Sequence, residues 1–329
     1  MNKNYILKNQ TDLTNPILGT KIIYFTDEFF APAKRLLNPS KPIFKENVYD
    51  NHGKWMDGWE TRRRRTKGND YVVIKLGKPG KINTIDIDTS YFNGNQPEYA
   101  KLEGCYSKNS YLNNLKWTQL TKKNKIKPNS NNLFKSLSTK TFTHIKLNIY
   151  PDGGVARLRL FGNIDLSLNK FQKNKIFDLA NIVNGSQVIA CSDEHFGNAN
   201  NLLLPGKSIN MGNGWETKRR RGPGYDWIIL KLGKKGFVSY FEISTHYFKG
   251  NYPSHFSIQA SLSSNLLSNK KIVSERDKWK TIIKDVKLKP NATLKIKSKF
   301  KINQSINLIK LNIYPDGGIS RFRVFGKVK

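Results

Sequence analysis

Lys-Leu-Asn-Ile-Tyr-Pro-Asp-Gly-Gly, residues 146–154, occurs a second time, letter for letter, at 310–318. Apolar and polar side chains alternate up to Tyr150, the period of a strand with one buried face. Pro151-Asp152-Gly153-Gly154 then supplies turn chemistry, with Asp152 and Asp316 placed to cap their own turns. Alternation resumes over Val155–Phe161, so the stretch reads as a hairpin of His144–Tyr150 and Val155–Phe161. Ile145, Leu147, Ile149, Leu158 and Leu160 fall on the core face. Lys146, Asn148, Arg157 and Arg159 fall on the other, with Asn312, Arg321 and Arg323 equivalent. That polar face reads as well for a solvated outer sheet face as for a binding face.

Outward from it, the whole chain repeats. Gly-Trp-Glu-Thr-Arg-Arg-Arg-Arg at 58–65 returns as Gly-Trp-Glu-Thr-Lys-Arg-Arg-Arg at 214–221. Ile-Asp-Ile-Asp-Thr-Ser-Tyr-Phe-Asn-Gly-Asn-Gln-Pro at 85–97 returns at 241–253, and the Asp27-Glu28 region at Asp193-Glu194. The offset drifts between 156 and 166 residues, which puts insertions between motifs. So long a period means a duplicated domain rather than a solenoid. Tyr71–Leu76 and Ile82–Asp88 also read as strands, and no long amphipathic helix stands out. The expectation is an all-β chain: a tandem pair of jelly-roll β-sandwich domains, 1–165 and 166–329. Residues 163–180 connect them, and 107–132 and 265–280 read as polar loops or insertions.

The 329 residues carry a formal charge of +33. Of the 57 basic residues, 44 are Lys, scattered along the chain, which reads as solvated surface; no nucleic-acid-binding motif accompanies them, so no dedicated nucleic-acid partner is expected. Two unrelated cysteines argue against a disulfide framework, and neither a signal peptide nor a membrane span is visible. A cytoplasmic protein is expected; oligomeric state stays open, a homo-oligomer included. No cofactor motif is evident. No His pair has metal-ligand spacing, although dispersed ligands for a divalent metal would leave no such sign.

Arginine, unlike lysine, is concentrated: eleven of 13 lie in the two Trp-Glu-Thr runs or the two hairpins. Its planar fork suits bidentate binding of a carboxylate. If residues 60–65 are extended, Glu60, Arg62 and Arg64 share one face, and Trp59, Arg63 and Arg65 the other; Glu216, Lys218 and Arg220 repeat the first set. Such a face is either a structural ion pair or an anion site oriented by the Glu. Asp27-Glu28 and Asp193-Glu194 are either caps or a catalytic base. Asn95 and Asn251 are turn residues that can also face a ligand.

With these motifs laid out, the chain resembles the allantoicase family over nearly its whole length. The matching pieces are Phe-Phe-Ala-Pro-Ala at 29–33, both Trp-Glu-Thr runs, Asp-Thr-Ser-Tyr-Phe-Asn-Gly-Asn at 88–95, Thr-His-Tyr-Phe-Lys-Gly-Asn-Tyr-Pro at 245–253 and both Leu-Asn-Ile-Tyr-Pro-Asp-Gly-Gly segments. The resemblance implies tandem jelly rolls related to galactose-binding modules, and hydrolysis of allantoate to ureidoglycolate and urea. A non-catalytic module binding a sugar or small anion is the alternative that the architecture also serves. For the hydrolase, the candidate acids and bases are Glu60, Glu216, Asp193, Glu194 and His246. The candidate substrate ligands are Arg62, Arg64, Arg157, Arg159, Arg220, Arg321, Arg323, Asn95 and Asn251. Arg64 and Arg159, and likewise Arg220 and Arg323, are expected to converge on one anion. The repeats are expected to act unequally, because their histidines differ: His144 follows Thr143 in the first and His246 follows Thr245 in the second.

Overall fold

A computed structural model describes residues 6–7, 10–108, 115–166, 174–261, 272–273, 279–297 and 305–329. Parts of the expected insertions and of the 163–180 connection lie outside the described residues. The chain divides into two compact units, Thr11–Asp165 and Leu166–Lys329, the latter joined by Met1–Gln10. The N-terminal segment therefore sits with the second unit, where Ile6 and Leu7 pair antiparallel with Cys191 and Ala190.

Each unit is built on one 19-residue strand, Asp70–Asp88 or Asp226–Ser244. Two shorter strands were expected in place of the first. The early part, Asp70–Lys75, pairs with Thr141–Tyr150 on one side and Lys21–Phe25 on the other. The late part, Thr84–Asp88, pairs with Asn131–Lys135 and Arg157–Ile164. One strand thus serves both sheets of a sandwich, which is how such folds turn their corners. At the crossing, a Cβ on Gly77 would lie 2.0 Å from the carbonyl oxygen of Leu18, so only glycine fits. The second unit repeats the scheme with Gln187–Cys191, Ile306–Tyr314, Thr293–Lys297 and Arg321–Val328 around its long strand.

The expected hairpin does not form. His144–Ile149 pairs with the early part of Asp70–Asp88 and with Tyr99–Cys105 alongside, whereas Arg157–Ile164 pairs with the late half. Pro-Asp-Gly-Gly is therefore a crossover between sheets, and alternation on both sides of a turn cannot tell that from a hairpin. The core face was read correctly: Ile145, Leu147, Ile149, Leu158 and Leu160 are fully buried. The opposite face is not solvated, since Arg157 and Asn148 are buried as well. Helix among the described residues is limited to short turns such as Ala33–Leu37 and Ala199–Leu203. No helix is long and apolar enough to cross a membrane.

Candidate active site

The Trp-Glu dipeptide is the hub of each unit. Trp59–Glu60 pairs with Gly154–Val155, and Trp215–Glu216 with Gly318–Ile319. Both indoles are fully buried and donate to the carbonyls of Asp27 and Asp193, at 2.7 and 2.8 Å. A Cβ on Gly154 or Gly318 would lie 2.0 Å from the ring of Phe92 or Phe248, so these Phe side chains seat directly on the crossover turn. That contact brings the Phe-x-Gly-Asn turn against it: the amides of Gly154 and Gly318 donate to the carbonyls of Asn95 and Asn251. The Asn side chains then meet the Glu. Asn95 Nδ2 donates to Glu60 Oε1 at 2.8 Å, and Asn251 Nδ2 to Glu216 Oε1 at 2.5 Å. Burial pushes the Glu60 carboxyl above the usual range, with the Asn95 bond partly offsetting it.

The arginines behave differently from the extended-strand reading. The strand ends at Glu60, because the backbone amide of Arg64 turns to Asp152 Oδ2 and that of Arg62 to Asp27 Oδ2. Asp152 and Asp316 therefore clamp the arginine runs, not their own turns; Arg220 N donates to Asp316 Oδ2 at 2.8 Å. Arg62 pairs with Asp27 at 2.8 Å, and Lys218 reaches Asp193 at 3.9 Å. Arg64 and Arg220 pair with the buried Asp70 and Asp226, at 3.1 and 2.5 Å. Arg157 pairs with Asp57 at 2.7 Å and also donates to the carbonyls of Asp57, Ser40 and Ala156. Arg159 lies 3.6 Å from Asp12 and bonds the carbonyl of Asn38; Arg323 lies 3.4 Å from Asp178 and bonds those of Leu204 and Gly206. Arg64 and Arg159 thus end on separate carboxylates, as do Arg220 and Arg323, instead of converging on one anion.

The acidic pairs act as caps. Asp193 accepts from the amides of His195 and Lys218, and Glu194 from that of Ala199. His144 is fully buried against Thr143, with its pKa lowered by burial and then by Lys75. Its repeat position is not that of His246, which aligns with Ser90. Among the described residues, no three His, Cys, Asp or Glu side chains cluster as a metal would require.

Two cavities in the second unit divide the remaining candidates. An open cleft of about 580 Å³ is lined by Glu216, Asn251, Thr217, Tyr252, Asp316 and Arg219, among others. A smaller cavity of about 260 Å³ holds His246, Arg321 and Arg323. Arg219 is the residue that sequence reasoning missed. The period-two reading put its counterpart Arg63 on the far face with Trp59, yet Arg219 has no hydrogen bond or ion pair among the described residues and lines the same cleft as Glu216. A signal was present: the first position of the run is Arg62 in one copy and Lys218 in the other, while the second is arginine in both.

A family model, the allantoicase repeat, matches residues 11–165 and again 177–329. A probable allantoicase of Acinetobacter baumannii (strain SDF) is 44% identical over 323 residues, 98% of this chain and 95% of the relative. A probable allantoicase of Pseudomonas fluorescens is 44% identical, with 96% of both chains covered. The crystal structure of an allantoicase from Saccharomyces cerevisiae is similar with a TM-score of 0.81 at 34% identity, covering 96% of this chain and 93% of that one.

Proposed function

The chain belongs to the allantoicase family, and from that premise we propose that it hydrolyses allantoate in the cleft beside Glu216. Allantoate carries one carboxylate and two ureido groups on a single carbon. Hydrolysis exchanges one C–N bond of that carbon for C–OH: water supplies the hydroxyl, its proton ends on the departing ureido nitrogen, and urea and ureidoglycolate result. Three tasks follow. A cation must fix the carboxylate, an acceptor must orient the ureido N–H groups, and a group must carry the proton. Arg219, with its fork unclaimed by the protein, suits the first. Glu216 suits the other two: it lines the cleft, and Asn251 bonds only one of its carboxylate oxygens, Oε1. The observation that carries this reading is the cleft itself, which joins an unclaimed guanidinium to an oriented carboxyl.

Glu60, Asn95 and Arg63 repeat the constellation in the first unit, so the units must be compared directly. Glu216→Gln is expected to lower kcat/KM for urea release at least about 100-fold while Glu60→Gln keeps most of it. The reverse order would move the site to the first unit. No membrane or dedicated nucleic-acid partner enters this reading. We place the protein in the cytoplasm, supported by two buried cysteines, Cys105 and Cys191, neither in a disulfide.

A further inference from the structure

The residues that line the Glu216 cleft recur in the first unit with three changes: Gln96 for Tyr252, Glu98 for Ser254 and Ile126 for Leu288. Glu60, Asn95 and Arg63 are all retained, so the carboxyl, its Asn partner and the cation do not tell the units apart. Ile126 keeps the aliphatic character of Leu288. The other two changes alter the chemistry.

Ser254 and Glu98 hold the same place in the backbone. Ser254 N donates to the carbonyl of Tyr314 at 2.9 Å, and Leu288 N to that of Ser254 at 3.0 Å. Glu98 N donates to the carbonyl of Tyr150 at 3.1 Å, and Ile126 N to that of Glu98 at 2.9 Å. The side chains differ in reach and charge. Ser254 is short and neutral, and its hydroxyl is held at 3.0 Å by the Tyr314 carbonyl and at 2.6 Å by His255 Nδ1. Glu98 brings a carboxylate to that place, three residues from Asn95. It is exposed and has no ion pair among the described residues, so no partner cation offsets its charge. The neighbouring position differs too. Tyr252 lines the cleft, whereas Gln96 Oε1 accepts from the Gly94 amide at 2.7 Å and so folds back onto its own turn.

Resting on the reading that allantoate is hydrolysed beside Glu216, we propose that Ser254 and Tyr252 are specificity residues of that site, and that Glu98 excludes the substrate from the first unit. The substrate is an anion whose carboxylate needs a guanidinium. A carboxylate of the chain's own beside such a site repels the substrate and competes with it for the cation, here Arg63. Ser254 does neither. The first unit thus keeps the reactive groups and rejects the ligand.

Steady-state urea release by the full chain tests this in both directions. Ser254→Glu is expected to raise KM at least about tenfold above that of Ser254→Gln, which has the same length without the charge, while kcat stays within about threefold. The KM ratio of the two should shrink as salt rises from about 0.05 to about 0.5 M, which a purely steric or structural effect would not do. In the other direction, Gln96→Tyr with Glu98→Ser, added to Glu216→Gln, should raise the residual kcat/KM at least about tenfold, and Glu60→Gln should remove that gain. Equal KM values for Ser254→Glu and Ser254→Gln in a chain that depends on Glu216 leave the cleft in place and overturn the proposal alone. So does a first unit that gains nothing from the paired changes, or a gain that survives Glu60→Gln. Undiminished turnover in Glu216→Gln itself unseats the cleft as the site of hydrolysis, and the proposal falls with it.

Discussion

Arg157 and Asp57 are both buried, with 2.7 Å between guanidinium and carboxylate. Arg157→Ala leaves that carboxylate without its partner, and breaking a buried pair from one side costs about 3–5 kcal/mol. Denaturant unfolding of this variant should show a loss of that size. The residue scale also carries a pH dependence. Asp86 is pushed up to about 6, first by burial and then by Asp88, with Asn131 opposing. Since an unfolded Asp titrates near pH 3.9, the folded chain holds this proton more tightly. The stability it contributes is present below about pH 4 and is lost as pH rises through about 6. Asp86→Asn removes the titration and keeps an acceptor for Asn131. Its Tm should match the parent's near pH 4 and exceed it by a few degrees above about pH 6.5; an equal gap at both pH values would refute the assignment. Residue identity was legible at Glu60, Asn95, Glu216 and Asn251, which the structure joins in pairs. The fates of the arginines were not, because they are decided by carboxylates and carbonyls that the fold brings up, Asp57 for Arg157 and the Asn213 carbonyl for Arg321 among them, and by a turn that ends the strand.

At the scale of elements, the crossover turn determines how the site is assembled. Phe248 is fully buried against Gly318, where a Cβ would lie 2.0 Å from its ring. Gly318→Ala must push that ring aside, an overpacking penalty of about 1–3 kcal/mol. Because Gly318 pairs with Glu216 and its amide holds Asn251, the same change should lower turnover. Adding Phe248→Leu should recover part of the stability; a double variant no more stable than Gly318→Ala would place the clash elsewhere. Strand periodicity identified the core residues because burial on one face leaves an alternating pattern whatever the neighbour. It misjudged the neighbour itself: Leu147 and Leu158 carry the same signal whether their strands pair with each other or, as here, with opposite halves of Asp70–Asp88.

At the scale of the whole molecule, duplication was fully visible in the sequence, since nine consecutive identical residues recur in both halves. The segregation of the N-terminal segment was not: Ile6 and Leu7 pair with Ala190 and Cys191 through backbone bonds that carry no sequence mark. Duplication also leaves two similar frames that have diverged in charge, which is why equivalent positions hold Asp88 in one and Ser244 in the other. The reaction assigned to this frame predicts a stoichiometry. The most direct measurement is the release of urea and ammonia from allantoate by the purified full chain, beside its Arg219→Ala variant. The account predicts one urea per allantoate consumed, ureidoglycolate as co-product, and a loss of roughly 30- to 1,000-fold in kcat/KM for the variant at unchanged Tm. Ammonia in place of urea, or a folded Arg219→Ala variant with undiminished turnover, would contradict it.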